Sequence, residues 1–567
     1  MDHQRGPGRH DLTGGVAVVS APARPPAPRR RAGAGRWLWA AGITAAGIAL
    51  FAAYLRLTNT YPEDSDQANL GLQAWDMLHG NLLLHGWVLS DVSFYTTELP
   101  QYMLLELISG LKVGTFHAAA AMTYTLAVLG AALLAKGGGG GGKQGRAAGH
   151  RGVARAVIAG GIMLAPQLGF GVFILLLTVG HIGTSVPLLV TWLALDRGRP
   201  GWRLAAVTGV LLTWGAIADS LVLAIGALPV ALVSAVRVAR ELIRPAAGGP
   251  GRLRRAAGQF ETWLAAAAVA SAVVSQAVVR LIHALGGYTL HAVTFTIEPA
   301  GGWGRQVISA WRGLLVLFGA SYTGLSGHDR DVALLHLAGL ALAAAGLVLV
   351  AWRFFTRALV EQVLAAAITV NLVLYVISNM PSLNPHEMAV VLPAAAALAG
   401  RMLVRAEPRP AGRAHRALTA VAAAAGAVVL AGYLGGLIRE ARQPAVPAQN
   451  LQLAAWLRAH HLSYGLGGYW LGSIVTVETA GQVKVRALMQ FTLQRDLWEA
   501  KYAWYSPRAQ RASFVVFENL PGFYNHWEPL TLAHRYFGDP ASTHHVGPYT
   551  IMVWNRNLLP DIPGNPP

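Results

Sequence analysis

The sequence predicts a polytopic α-helical membrane protein of about eleven transmembrane helices, carrying a small extracytoplasmic α/β domain at its C-terminus. Three observations lead there. Of 567 residues, 54% are hydrophobic and 13% charged. That composition excludes a disordered chain, which lacks apolar surface to bury, and is poor in charge for a nucleic-acid binder. A window of about 20 residues, the helix length that crosses a bilayer core, finds eleven apolar runs. The net charge of +18 also separates by side once those runs are drawn.

Residues 1–36 hold Arg29-Arg30-Arg31 among many Pro and Gly and read as a disordered basic cytoplasmic tail. The first apolar run, from Trp37, is too long for a signal-peptide core and lacks a cleavage site, so it reads as a span. The eleven candidate spans are 37–57, 115–135, 156–178, 183–196, 203–219, 221–237, 262–284, 331–352, 359–378, 387–404 and 417–438. The fourth to sixth are short and closely spaced. The tail and the loops 136–155, 196–203, 237–257, 353–361 and 401–416 together carry +22, against −4 for the rest of the chain. Positive connections stay in the cytoplasm, so the N-terminus is expected inside the plasma membrane and the C-terminal segment outside. The run Gly137 to Gly142 reads as a linker. Cysteine is absent, which excludes disulfides, thiolate metal sites and thiol nucleophiles.

The outer loop 58–100 is the informative one. It holds Glu63, Asp64, Asp66, Asp76, Asp91 and Glu98 without Lys or Arg. Amphipathic helical patterns run over 68–79 and 99–111. A plain reading is topogenic, with solvated acids on the side where bases are scarce. A functional reading rests on spacing. Asp64 and Asp66 are two apart and would share a side in extended backbone. Such carboxylates can act as a general base toward a hydroxyl or hold a hard divalent cation such as Mg or Mn.

The stretch Asp66-Gln67-Ala68-Asn69-Leu70-Gly71, followed by Trp75-Asp76-Met77-Leu78-His79-Gly80-Asn81, resembles the first outer loop of GT-C membrane glycosyltransferases. That superfamily includes protein O-mannosyltransferases and lipid A aminoarabinose transferases. The segment from Phe94 to Tyr102 fills the place of the family's entry to the next helix, bringing Glu98 and Tyr102 into consideration as substrate-binding residues. Ala, Gly and Arg content fits an actinobacterial-type relative. The resemblance places Asp66 on the family's catalytic Asp and Gln67 where the family has a second acid, leaving Asp64 or Glu63 as substitutes. It implies a polyprenyl-phosphate sugar donor reached from the bilayer, an acceptor hydroxyl from outside, proton acceptance by Asp66, and inversion at the sugar. It calls for no nucleotide cofactor and no nucleic acid.

The leaving phosphate would need partners. Candidates are Arg305 and Arg312 in loop 285–330, His181 in 179–185, and Asn384, His386 and Glu387 before the tenth span. Each has a plainer reading. The two arginines can snorkel beside Trp303 and Trp311, and the histidines can be loop or cap residues. Asp219 is either a loop acid or an ionisable group at membrane depth. Glu261 and Arg280 read as interfacial.

Segment 440–567 is long enough for its own core. Residues 450–462 and 529–537 read as helices, and 473–488, 511–519 and 549–557 as strands. The glycines of 464–470 follow a helix and do not match a dinucleotide fingerprint. Trp470, Trp498, Tyr502, Trp504, Tyr505, Tyr524 and Trp527 serve a core, an interface or a sugar. Two competing classes stand beside the transferase: a lipid-linked substrate transporter or flippase, which requires mid-span charges and broken helices in paired halves, and a non-catalytic membrane scaffold.

Overall fold

The computed structural model describes residues 32–138, 146–166, 170–177, 179–243, 257–292, 296–379, 385–404, 413–448, 450–518 and 530–565. The basic tail to residue 31, most of the glycine linker, Asn384, Tyr524 and Trp527 lie outside these. Two compact units divide the chain. In unit 1–46 the described part is the start of helix α1 (Ala32–Thr58), which begins inside the stretch expected as tail and exposes Trp37 and Leu38. Unit 47–567 holds everything described below.

The outer loop folds into α2 (Ser65–Leu78), β1 (Trp87–Leu89) and α3 (Glu98–Ser109). The bundle continues with α4 (Val113–Lys136), α5 (Arg146–Met163), the short α6 (Phe170–Val172), α7 (Ser185–Arg197), α8 (Trp202–Ala218), α9 (Leu228–Ile243) and α10 (Phe260–Ala284). After β2 (Thr289–Leu290) come α11 (Trp303–Leu317), α12 (Gly327–Trp352), α13 (Leu359–Ile377), α14 (Val391–Leu403) and α15 (Arg413–Ala441).

Among the described residues seven helices are long and apolar enough to cross a membrane: 37–58, 113–136, 223–243, 260–284, 327–352, 359–377 and 420–441. All seven coincide with expected spans, and the chain is a multi-pass helical membrane protein. The other four expected spans differ. Span 156–178 is not one helix: α5 ends at Met163, before Pro166, and a π-helical turn at 173–177 follows α6. Proline cannot donate to the helical ladder, so the chain turns there. Helix α8 has 17 residues, while α7 and α14 have 13 each, about 20 Å at 1.5 Å per residue. Helix α14 is buried on every side from Val391 to Gly400 and packs on α4, α5, α12 and α13. Its apolar composition serves the protein core rather than contact with lipid.

The C-terminal segment contributes α16 (Leu451–Ala459), β3 (Tyr464–Gly468), α17 (Tyr469–Glu478), β4 (Lys484–Leu488), β5 (Ala500–Lys501), β6 (Phe514–Glu518), α18 (Leu530–Phe537), β7 (Ser542–Val546) and β8 (Tyr549–Val553). Five strands form a sheet in the order β4-β3-β6-β8-β7, parallel across β4, β3 and β6 and antiparallel beyond. The expected strand 473–488 is helical in its first half. The glycines of 464–468 form β3 itself, because a Cβ at Gly465 would meet the Phe514 ring. This segment is tied to the outer loop: β5 pairs antiparallel with β1, β2 pairs parallel with β1, and α17 packs on α2.

Candidate functional site

Helix α2 begins where the outer loop meets the C-terminal sheet. Asp64 is its N-cap, in extended backbone, and accepts a hydrogen bond from Asp66 N at 2.9 Å. Gln67 Oε1 accepts from Asp64 N at 3.4 Å, completing a capping box. The capping box gives physical sense to the sequence Asp-Ser-Asp-Gln: Gln67 is a capping residue here. Asp64 and Asp66 do not share a strand face. Asp64 Oδ1 is occupied by the cap, and Asp66 belongs to the first helical turn. Among the described residues no three His, Cys, Asp or Glu side chains converge as metal ligands would.

From Glu63 to Ala74 every residue is buried except Asp66, which is half-buried. Tyr469, the first residue of α17, donates its hydroxyl to Asp66 Oδ1 at 2.6 Å and lies 3.0 Å from Glu499 Oε2. Asn69, one turn along α2, donates to Glu499 Oε2 at 3.1 Å and receives Ser473 Oγ. Burial raises the Asp66 carboxyl to about 6, opposed by the Tyr469 hydrogen bond. Burial raises Glu499 to about 8, with Asp66 adding to it. The two carboxyls titrate as one coupled pair, both above the ordinary carboxylate range. A hydroxyl has one proton to give. The Tyr469 hydroxyl lies within donating distance of both acids, and its oxygen accepts from Asn69 Nδ2 at 3.1 Å. Glu499 is also held at φ 52°, the left-handed region that non-glycine residues seldom enter.

Beyond Gln67 the polar surface continues through Tyr102 and Glu98, which line a 30 Å³ crevice against Gly180, Ile182 and Gly183. A Cβ at Gly183 would fall on Glu98 Oε1, so glycine there lets the loop reach the acid. Burial raises Glu98 to about 7, while a hydrogen bond from Thr97 opposes the rise.

On the far side lies a cavity of 490 Å³ lined by Asp91, His181, Asp219, His291, Tyr375 and Glu387 among others. Asp66 does not line it. His181 joins two acids, with Nδ1 2.6 Å from Asp219 Oδ2 and Nε2 2.8 Å from Glu387 Oε2. Thr184 also donates to Asp219 Oδ2, and Leu221 N to Asp219 Oδ1 at 2.8 Å. Burial opposes the charge on His181, but Asp219 and Glu387 overcome it and hold the imidazole well above its ordinary pKa. Asp219 is 2% exposed, so the loop-acid reading falls away. Burial raises Asp91.

The remaining candidates lie elsewhere. His386 sits on a 3-10 turn with Nδ1 over Gly180, and burial lowers it to about 4, leaving a neutral ring at pH 7. Arg305 is 84% exposed and 3.7 Å from Glu298. Arg312 is exposed on α11, with Trp303 and Trp311 also exposed. Glu261 pairs with Arg237 at 3.0 Å. Sequence reasoning missed Tyr469 and Glu499. They lie 403 and 433 residues beyond Asp66, in stretches without a local motif.

No protein-family model matches the sequence, and no curated protein matches it. Solved structures do. The chain superposes on the crystal structure of ArnT from Cupriavidus metallidurans bound to undecaprenyl phosphate, with a TM-score of 0.51 and 13% identity over 91% of this chain and 97% of that one. The chain shares the fold of that ArnT structure. Lower scores relate it to the Archaeoglobus fulgidus oligosaccharyltransferase tethered with an acceptor peptide (TM-score 0.46, 13% identity, 85% of this chain and 69% of that one). A third match is mycobacterial arabinofuranosyltransferase AftD (0.41, 14%, 92% and 41%). In this chain, Asp91 of the outer loop, His181, Asp219 and Glu387 of the turn before α14 line one cavity, while Asp66 meets the C-terminal domain.

Proposed function

We propose that this chain is a membrane glycosyltransferase that moves a sugar from a polyprenyl-phosphate carrier to an acceptor hydroxyl on the extracytoplasmic face. The carrying observation is Asp66: the one residue of the first part of α2 that is not fully buried, a carboxylate hydrogen-bonded and aimed by Tyr469. ArnT, whose fold this chain shares, was crystallised with undecaprenyl phosphate, which supports a lipid-phosphate carrier as donor.

The acceptor oxygen attacks the anomeric carbon and its proton passes to an Asp66 oxygen. The bond from that carbon to the phosphate oxygen breaks, and the polyprenyl phosphate departs with the electron pair. Inversion follows from a single displacement. The 490 Å³ cavity, which Asp66 does not line, offers the carboxylates of Asp91 and Glu387 and the imidazolium of His181 to parts of the substrates away from the reacting carbon. Asp64 acts through the cap that orients Asp66. The N-terminus lies in the cytoplasm and the C-terminal domain outside.

The test is Asp66→Asn expressed in a deletion strain, with cell-envelope glycans profiled by mass spectrometry. Loss of a glycan that wild type restores, at equal membrane abundance, supports the reading. Full restoration by the variant overturns it. A reporter fused after residue 565 that is active only outside supports the orientation.

A further inference from the structure

Among the polar contacts between the C-terminal domain and the outer loop, one set converges on Asp66. Tyr469 opens α17 directly after the glycine-rich strand β3, and Glu499 immediately precedes β5, which pairs with β1 of the outer loop. We infer that Tyr469 and Glu499 are positioning residues for Asp66, so that the C-terminal domain completes the proton-accepting site rather than merely covering it. The inference rests on the proposed role of Asp66 and deepens it.

Geometry carries the argument. The Tyr469 hydroxyl stands between the two acids, 2.6 Å from one and 3.0 Å from the other. Asn69 touches both Tyr469 and Glu499, each at 3.1 Å, and is itself held by Ser473 of α17. Asp66 is thus fixed by a network of four side chains, three of them from the C-terminal domain. Glu499 is 3% exposed and sits at a left-handed backbone position, where a glycine would be at ease. An acid kept in that conformation, with Asn69 and Tyr469 directed at its carboxyl, points to use of that group. The other titratable groups facing the pair are Asp64 at the cap and Tyr102 on α3, and Ser90 faces Glu499 from the outer loop. No lysine or arginine is among these groups. Among the described residues, Asp66 is therefore held by hydrogen bonds rather than by an ion pair.

The experiment needs no sugar donor. Purified full-length protein is treated with dicyclohexylcarbodiimide, which reacts with protonated carboxyl groups, and adducts at Asp66 and Glu499 are quantified by peptide mass spectrometry across pH. In wild type the Asp66 adduct falls as pH rises through about 6, with a tail while the pair shares its proton. Tyr469→Phe moves that fall upward by about one pH unit, because the hydrogen bond favouring the ionised form is gone. Glu499→Gln, nearly equal in size, removes the tail and leaves a single transition. A melt and size-exclusion profile accompany each variant, and if Tyr469→Phe does not fold, Glu499→Gln decides. Curves that match wild type in the folded variants overturn the inference. An inactive Asp66→Asn with unchanged curves sinks the positioning role alone. An active Asp66→Asn with shifted curves sinks the base and leaves the network.

Discussion

Helix α13 runs between two clusters of charged side chains that handle burial in opposite ways. At its first turn, Glu361 accepts from Arg401 Nε at 3.4 Å, and Arg401 Nη1 lies 2.8 Å from Asp196. Arg155 beside them donates twice to the Val404 carbonyl, and Arg237 pairs with Glu261. Every acid there has an arginine. At its other end, Tyr375 and Asn371 line the cavity of Asp91, Asp219 and Glu387, where His181 is the cation between two acids. Among the described residues no lysine or arginine pairs with Asp66 or Glu499. Balanced charge holds helix ends together and needs nothing from outside. Excess acid in a buried place is costly unless a proton or ligand supplies what is missing, which is where function is sought.

The contrast breaks first at Asp66. Asp66→Asn should lower sugar transfer by about 100-fold or more, the usual contribution of a general base, with the thermal midpoint of the detergent-solubilised protein unchanged. A midpoint that falls together with transfer would make Asp66 a structural acid like Glu361. Next comes Arg401→Met, which removes the arginine from Asp196 and Glu361, whose side chains are 7% and 14% exposed. Destabilisation of about 3–5 kcal/mol is expected from a lost buried partner, measured by thermal or denaturant unfolding. Adding Asp196→Leu and Glu361→Leu should recover much of it, since the stranded charges go too. The same repair should fail at the other end: His181→Leu with Asp219→Leu and Glu387→Leu restores neutrality but not transfer.

A smaller effect separates the ends by pH. Glu98, Glu106, Glu478 and Glu499 all titrate above the ordinary carboxylate range because burial disfavours their charge, to about 7, 8, 8 and 8. For an acid raised in the folded state, stability is full below the unfolded value and declines as pH rises toward the folded one. The apparent melting midpoint should therefore fall from about pH 5 to about pH 9. Glu106→Gln, whose carboxyl oxygens are buried without hydrogen bonds, should flatten the decline. A midpoint that rises over this interval would refute the assignment.

Much of this was readable before the fold was known, and the reasons differ by residue. Hydropathy finds long spans because each is a local property of about 20 residues. It misreads α14 because a core helix and a lipid-facing helix have the same composition, and it runs through Pro166 because averaging hides one residue. Asp66, His181, Asp219 and Glu387 could be named as ionisable residues in unusual places. Their partners could not: His181 meets Asp219 over 38 residues and Asp66 meets Tyr469 over 403. Such contacts follow from the packing of α2 on α17, which no local pattern records. Asp64 was singled out for the same spacing as Asp66 and proved to be the cap.

The smallest expected effect lies at the joint between the outer loop and the C-terminal domain. Lys501 Nζ is 2.9 Å from Asp76 Oδ2, and each side chain is about one quarter exposed. Asp76 also accepts from Trp87 Nε1 at 2.7 Å and Asn81 Nδ2 at 2.6 Å. Burial tends to raise its carboxyl, but these two donors and Lys501 overcome it and hold the group below its ordinary value. This pair resembles the Arg401 cluster in balance and differs in exposure, so water and salt screen it. Lys501→Met should cost about 1 kcal/mol or less, because two hydrogen bonds to Asp76 remain and the strand pairing of Lys501 with Trp87 is made by the backbone. With Asp76 depressed, its contribution is present above the unfolded pKa and is lost as pH falls through the folded one. The variant and wild type should therefore converge in acid and differ most near neutrality, and added salt should narrow the gap. A loss as large as that of Arg401→Met would show that charge balance, and not burial, sets the strength of these pairs.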